Sequence, residues 1–124
     1  MEPSISALDP SREYFFDEGC FINELENSPT DDAASIARAR VAPGQTTRWH
    51  RLRNTVERYV ILSGCGRVDV GNLPPQTVGA GACVVIPPLC RQRITNTGND
   101  DLIFLAICTP RFRVENYEDL EKKE

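Results

Sequence analysis

Apolar and polar positions alternate along most of this chain with a period of two, in short runs broken about every 8 to 12 residues by Gly, Pro, Asn or Asp, which is the pattern of β-strands folded into a sandwich or barrel. Short strands are predicted at Glu13–Phe16 and Cys20–Leu25, separated by the turn signal Asp17-Glu18-Gly19. Further strands are predicted over 34–41, 46–53, 56–62, 67–71, 76–78, 82–86, 91–96 and 102–108. Pro43-Gly44 and Gly64-Cys65-Gly66 read as turns, and Thr97-Gly98-Asn99-Asp100 as a hairpin turn. Tyr117–Lys122 is expected to form one short helical turn. No apolar period of 3.6 residues is sustained and no internal repeat is visible. The fold class that follows is all-β, a jelly roll, whose double-sheet closure limits exposed edges.

A length of 124 residues fits one domain. The expected division is an acidic N-terminal extension over 1–32, a barrel over 33–114 and a charged tail over 115–124. No apolar run approaches the roughly 18 residues of a membrane span. The opening Met1-Glu2-Pro3-Ser4 lacks a basic region followed by an apolar one, so no secretory signal is expected. Five cysteines, widely spaced and without a Cys-x-x-Cys pair, argue against a disulfide framework or a zinc ribbon and for a reduced, cytoplasmic protein. Cys83 and Cys108 lie in apolar runs and read as buried free thiols.

The net charge of −4 hides an asymmetry. Residues 33–114 hold eleven Arg against four acids, a balance of +7, while the flanks stand at −11. The plain interpretation is that the acidic ends fold back onto the basic middle or cross to a partner subunit. A nucleic-acid face is disfavoured, because the arginines are not interleaved with aromatics and no nucleic-acid motif is present. There is also no phosphate-cradling Gly-rich loop and no Ser-His-Asp order.

The candidate chemistry lies between Gly44 and Asn96, a stretch that contains the only His and the only Trp. In its first part Gly44, His50, Leu52, Glu57 and Gly64 are spaced Gly, five residues, His, one, Leu, four, Glu, six, Gly. In its second part Gly81, Pro87, Leu89, Gln92 and Asn96 are spaced Gly, five, Pro, one, Leu, two, Gln, three, Asn. Together these resemble the two signature motifs of the cupin superfamily, with Leu52 and Gln92 where that pattern has His and Leu89 where it has Gly. The resemblance implies a six-to-eight-stranded jelly-roll barrel, commonly a homodimer, and four metal-ligand positions at His50, Leu52, Glu57 and Gln92. It leaves function wide, since cupins include dioxygenases, isomerases, epimerases, decarboxylases and sensing domains.

On strands, residues two apart share a face, so Arg48, His50 and Leu52 point together, as do Glu57, Tyr59 and Ile61, and Gln92, Ile94 and Asn96. The three-His-one-Glu set cannot form in a chain with one His. A weaker divalent-metal site (Zn, Mn, Fe or Ni) of His50, Glu57 and Gln92 completed by water is one expectation. The opposing one is a barrel that has lost its metal, in which His50 and Glu57 hydrogen-bond each other. A metal-free alternative pairs a His50 base with Tyr59 or Glu57, as the resemblance to sugar epimerases of this fold implies, whereas the plain role for Tyr59 is a core aromatic.

The arginines at 51, 53, 58, 91 and 93 fall out of phase with the site and are expected to face outward. Arg48 is the one in phase and is the candidate for binding an anionic substrate, with Gln92 beside it. The function expected is that of a small-molecule-binding protein, an isomerase, epimerase or lyase on a small polar or anionic, sugar-like substrate. The alternative is a non-catalytic binding or sensing barrel.

Overall fold

Strand-forming runs separated by Gly and Pro turns fold, in a computed structural model whose described residues are 1–121, into eleven strands and two single 3-10 turns, Pro10–Arg12 and Val114–Asn116. The strands are β1 (Tyr14–Phe16), β2 (Cys20–Glu26), β3 (Ser35–Val41), β4 (His50–Leu52), β5 (Val56–Ser63), β6 (Cys65–Val70), β7 (Gln76–Gly79), β8 (Cys83–Ile86), β9 (Gln92–Asn96), β10 (Leu102–Thr109) and β11 (Tyr117–Asp119). They make a six-stranded sheet in the order β1-β2-β3-β10-β5-β8 and a five-stranded sheet in the order β11-β4-β9-β6-β7, with antiparallel pairing throughout. Among the described residues no helix is long and apolar enough to cross a membrane.

The alternation legible in the sequence is the alternation of burial. Along β5, Glu57, Tyr59 and Ile61 are buried while Val56, Arg58 and Val60 are only partly so, and along β9 the buried set is Gln92, Ile94 and Asn96. The inward apolar side chains, among them Val41, Ile61, Ile86, Ile94, Leu102 and Phe104, form the core between the sheets. At about 25 cal/mol per Å² of apolar surface, this face-to-face burial is the main force holding the sheets together.

Four expectations are corrected. Thr97–Asp100 is not a hairpin turn: β9 and β10 lie in different sheets, so this connection crosses between them. The strand expected over 46–53 is regular only from His50; ahead of it Thr46 makes a single bridge to Thr95. Tyr117 starts a strand paired with β4 rather than a helical turn, because residues 117–119 find the open edge of β4; Lys122 lies outside the described residues. Cys83 is exposed, since β8 is an edge strand with one face to solvent, whereas Cys20 and Cys108 are buried.

The acidic ends fold back onto the chain's own arginines. Glu13 meets Arg40 at 2.6 Å, Asp32 meets Arg111 at 3.2 Å, Glu118 meets Arg51 at 2.9 Å and Asp119 meets Arg48 at 3.0 Å. The N-terminal strands likewise join the same chain's sheet, β1 pairing with β2 and β2 with β3.

Asn96 shows why the second motif ends in Asn. Its buried amide donates to the carbonyls of Val41 and Asp100, both at 2.8 Å, and its oxygen accepts from the Gly98 amide at 2.9 Å. One side chain thus ties the turn after β9 to the end of β3. Asn96→Ala strands the buried Val41 carbonyl and removes two part-buried bonds, to the Asp100 carbonyl and from the Gly98 amide, and is expected to cost about 2–3 kcal/mol, read as a lower urea midpoint at unchanged slope.

Candidate functional site

Three adjacent strands bring the motif residues together. His50 on β4 is the register partner of Gln92 on β9, and Glu57 and Tyr59 face them from β5 in the opposite sheet. Gln92 is fully buried and bridges the other two: its Nε2 donates to Glu57 Oε1 at 2.9 Å, and its Oε1 accepts the Tyr59 hydroxyl in a short hydrogen bond. Glu57 Oε2 receives a longer contact from the Cys108 thiol at 3.9 Å.

Burial raises the Glu57 carboxyl from its ordinary 4.5 to about 7. The neighbouring Glu18 carboxylate pushes in the same direction, while His50 and the hydrogen bonds from Gln92 and Cys108 oppose them. The result is a carboxyl that exchanges its proton near neutral pH. Tyr59, buried beside it and packed on Phe104 at 4.5 Å between ring centroids, is held well above its usual range by desolvation first and Glu57 second. It acts as a hydrogen-bond donor.

His50 does not bond Glu57, contrary to the expectation for a barrel with its metal lost. Its Nδ1 lies 2.7 Å from the Arg48 carbonyl, so the neutral ring carries its proton on Nδ1 and leaves the Nε2 lone pair facing Glu18 Oε1 at 3.8 Å. Tyr117 of β11 stacks on the imidazole, centroids 5.2 Å apart, and closes it off from outside.

Glu18 is the site residue that sequence reasoning missed. It sits in the β1–β2 turn, where it looked like ordinary turn composition, and only the third dimension carries it to the barrel. There the Arg48 amide donates to its carbonyl at 2.7 Å. Its carboxylate also accepts from the Cys20 thiol at 3.6 Å. No spacing in the sequence signals this.

Glu18, Glu57 and Tyr59 line a narrow cavity of about 50 Å³ that opens to solvent. Its other walls come from β1, β2, β3 and β10, with Phe16 of β1 and Phe112 beyond the end of β10 among the lining side chains. His50 and Gln92 are not on this wall; they stand behind Glu18 and Glu57 as supports. Arg48 is absent from it as well. β4 becomes regular only at His50, so strand parity does not extend back to Arg48, and its guanidinium is bound by Asp119 and by the Glu121 carbonyl. The expected anion-binding role of Arg48 is therefore corrected to that of a tether for the C-terminal segment. The out-of-phase arginines face outward as expected, Arg91 and Arg93 over the Trp49 ring and Arg93 also on Asp69.

The metal that the family pattern implies does not suit these residues as placed. Among the described residues no group of three His, Cys, Asp or Glu side chains is disposed to hold a metal ion. Leu52 is a buried apolar side chain, and the Gln92 oxygen, the third donor expected, already accepts from Tyr59 while its nitrogen faces Glu57.

Comparison with known proteins agrees with this architecture. The chain is 32% identical over 115 residues, covering 91% of each chain, to an uncharacterized protein of Methanocaldococcus jannaschii, MJ1618. A double-stranded β-helix protein from Klebsiella pneumoniae superposes with a TM-score of 0.76 at 17% identity, covering 98% of this chain and all of that one. Pac13, a nucleoside dehydratase, superposes with a TM-score of 0.75 at 16% identity, covering 94% and 92%, and a Streptomyces Pac13 structure holds uridine. The cupin domain model matches residues 37–108, the segment that carries both motifs and runs from within β3 to within β10, and the chain belongs to the cupin family.

Proposed function

We propose that this cupin binds a small polar molecule in its barrel and moves a proton on it without a metal, as an isomerase, epimerase or lyase does. The observation that carries the reading is that Glu57 and Tyr59, both on the cavity wall, are joined from behind by Gln92, with the Glu57 carboxyl raised to about 7. A general acid–base group works best with a pKa near the operating pH, and Glu57 has that value through burial. Gln92 holds both Glu57 and Tyr59 in place and so acts as a positioning residue. Glu18 offers a second carboxylate across the cavity, and His50, with its lone pair at 3.8 Å, can take up or return a proton through it after a small approach. The phenol of Tyr59 supplies a donor for an oxygen on which charge develops.

The test is a thermal-shift screen of small polar metabolites, nucleosides included because a structural neighbour holds uridine, run with and without a chelator. The expected result is a ligand whose stabilisation survives chelation, reaching about 2.7 kcal/mol at a hundred times its Kd. Turnover of that ligand should fall by about 10²–10⁴ in Glu57→Gln, and by less in His50→Ala. A ligand response abolished by chelation, alongside near-stoichiometric metal lost in His50→Ala, would refute the metal-free reading. Binding without turnover would identify the non-catalytic barrel instead.

A further inference from the structure

The two sheets differ on their outer faces. On the five-stranded sheet the outward positions of β6, β7 and β9 hold Arg67, Thr77, Arg93 and Thr95, a polar surface of the usual kind for an antiparallel sheet with one wet side. On the six-stranded sheet β10 is apolar on both sides. Leu102, Phe104 and Cys108 are buried inward, and Ile103, Leu105 and Ile107 alternate outward, where nothing covers them fully. The strand registers carry this stripe across the sheet. Leu105 lies between Arg38 and Val60 with Cys83 beyond, and Ile107 between Ile36 and Arg58 with Val85 beyond. Cys83 and Val85 are exposed, as is Leu62 further along β5. Apolar residues on both faces of neighbouring strands mark a sheet that is covered on both sides, and a contiguous exposed apolar stripe marks an interface.

The chain also holds a segment that fits this stripe and lacks a place in a single copy. The Asn23 amide, on the outward side of β2 and in the same cross-strand row as Arg38 and Leu105, donates to the Asp9 carbonyl at 2.9 Å and so fixes the root of an N-terminal arm beside the stripe. Beyond that root residues 1–8 are exposed at every position, with Ile5 fully in solvent and Met1 and Leu8 exposed as well. Three apolar side chains in eight residues suit a cover for the stripe. Charge agrees: Arg38 and Arg58 border the apolar positions, Arg58 donates to the Thr109 hydroxyl at 3.0 Å with no carboxylate in ion-pairing reach among the described residues, and the arm brings Glu2. Size agrees too. The eight-residue β10 is about 27 Å long, and four strands spaced by about 4.8 Å give a flat area of about 500 Å² before side-chain relief is counted. With an arm that reaches up to about 27 Å when extended, each copy can bury close to the roughly 800 Å² per partner of a standard specific interface.

We propose that the outer face of the six-stranded sheet is the interface between two copies of this chain, packed about a twofold axis, with residues 1–8 of each copy laid over the β10–β5 stripe of the other. The arrangement is isologous, so one stripe and one arm on each copy satisfy both. It stands apart from the cavity and its chemistry, which open on the inner side of the same sheet.

Sedimentation equilibrium of the whole chain between about 1 and 100 μM tests it, with an expected mass twice that of one chain and a Kd of about 1 μM or tighter. Leu105→Glu buries an unpaired charge at the centre of the interface and should weaken association at least about a hundredfold. Ile5→Glu should weaken it about tenfold; because Ile5 is fully exposed in the single copy, that loss has no source in the fold of one chain. Thr77→Glu, exposed on the other sheet, should leave the dimer unchanged. If Leu105→Glu melts below room temperature, Val85→Glu on the exposed edge strand β8 takes its place with the same expected direction. A single-chain mass at 100 μM, or a dimer indifferent to both Leu105→Glu and Val85→Glu, would overturn the interface, and a dimer that Ile5→Glu leaves intact would overturn the crossing of the arm.

Discussion

Glu57→Gln is expected to make the protein more stable at pH 8 and to flatten its stability between pH 4.5 and 7. The folded carboxyl is raised from 4.5 to about 7, so within that window the folded state holds a proton that the unfolded chain has released. Stability contributed by such a group is fully present below 4.5, falls as pH rises towards 7, and is lost above it. A carboxyl raised from 4.5 to about 7 corresponds to about 3 kcal/mol, or about 10 °C in melting temperature for a chain of this size. The amide keeps an acceptor for Gln92 Nε2 and removes the charge that burial and Glu18 oppose. Melting curves of wild type and variant at pH 5 and pH 8 check the claim: the wild type should lose stability across this interval and the variant should not. Parallel curves would show that Glu57 is ionised without penalty, and the acid–base role would go with it. The same substitution should lower turnover by about 10²–10⁴, the pairing of gained stability with lost activity that a functional carboxyl shows.

Gly64→Ala is expected to cost about 3–5 kcal/mol, a large part of the 5–15 kcal/mol by which a domain is ordinarily stable. Gly64 sits at φ +90 where the chain leaves β5 for β6, and a Cβ there would lie 2.7 Å from the Asp101 carbonyl oxygen and 2.9 Å from the Leu102 Cα. Both obstacles are backbone at the start of β10, which pairs with β3 and β5 and cannot yield without disturbing them. Gly44→Ala separates the two contributions. Its φ is +78, yet nothing lies within 4 Å of the added carbon, so only the backbone strain of about 1 kcal/mol remains. Chemical denaturation of the two variants should differ severalfold in their effect, and equal losses would mean that the β5–β6 corner is looser than its geometry.

Most of the fold was legible because its signals are local. Alternation along β5 and β9, glycines at the corners and the spacing of the two motifs each reflect a constraint carried within a few residues. The misreadings share a different origin. Thr97–Asp100 has the composition of a hairpin turn, and composition does not tell whether the strands on either side belong to one sheet or two. Tyr117–Asp119 is charged and short enough to suit a helical turn, but an unpaired edge of β4 decides its state. Arg48 was assigned inward by a parity that holds only while the backbone stays extended. Glu18 carried no signal of its own: its role depends on β1 and β2 pairing beyond β3, which delivers the turn to His50 from far along the chain. The candidate site was thus half visible, with Glu57, Tyr59, Gln92 and His50 marked by their spacing and Glu18 hidden.

β4 is the thinnest part of the barrel. It carries His50, yet it meets β9 at a single register position and otherwise leans on β11, with Leu120 donating to the Trp49 carbonyl at 2.9 Å and Arg53 to that of Asn116 at 2.8 Å. Amide protons in β4 and β11 should therefore exchange with deuterium together, through one local opening well below the global unfolding energy, while those of β3, β5 and β10 wait for the whole molecule to unfold. A ligand in the barrel that draws on Glu18 and His50 would slow exchange at the far C-terminal end of the chain as much as at the site, so the last strand is a place from which occupancy can be read by mass spectrometry.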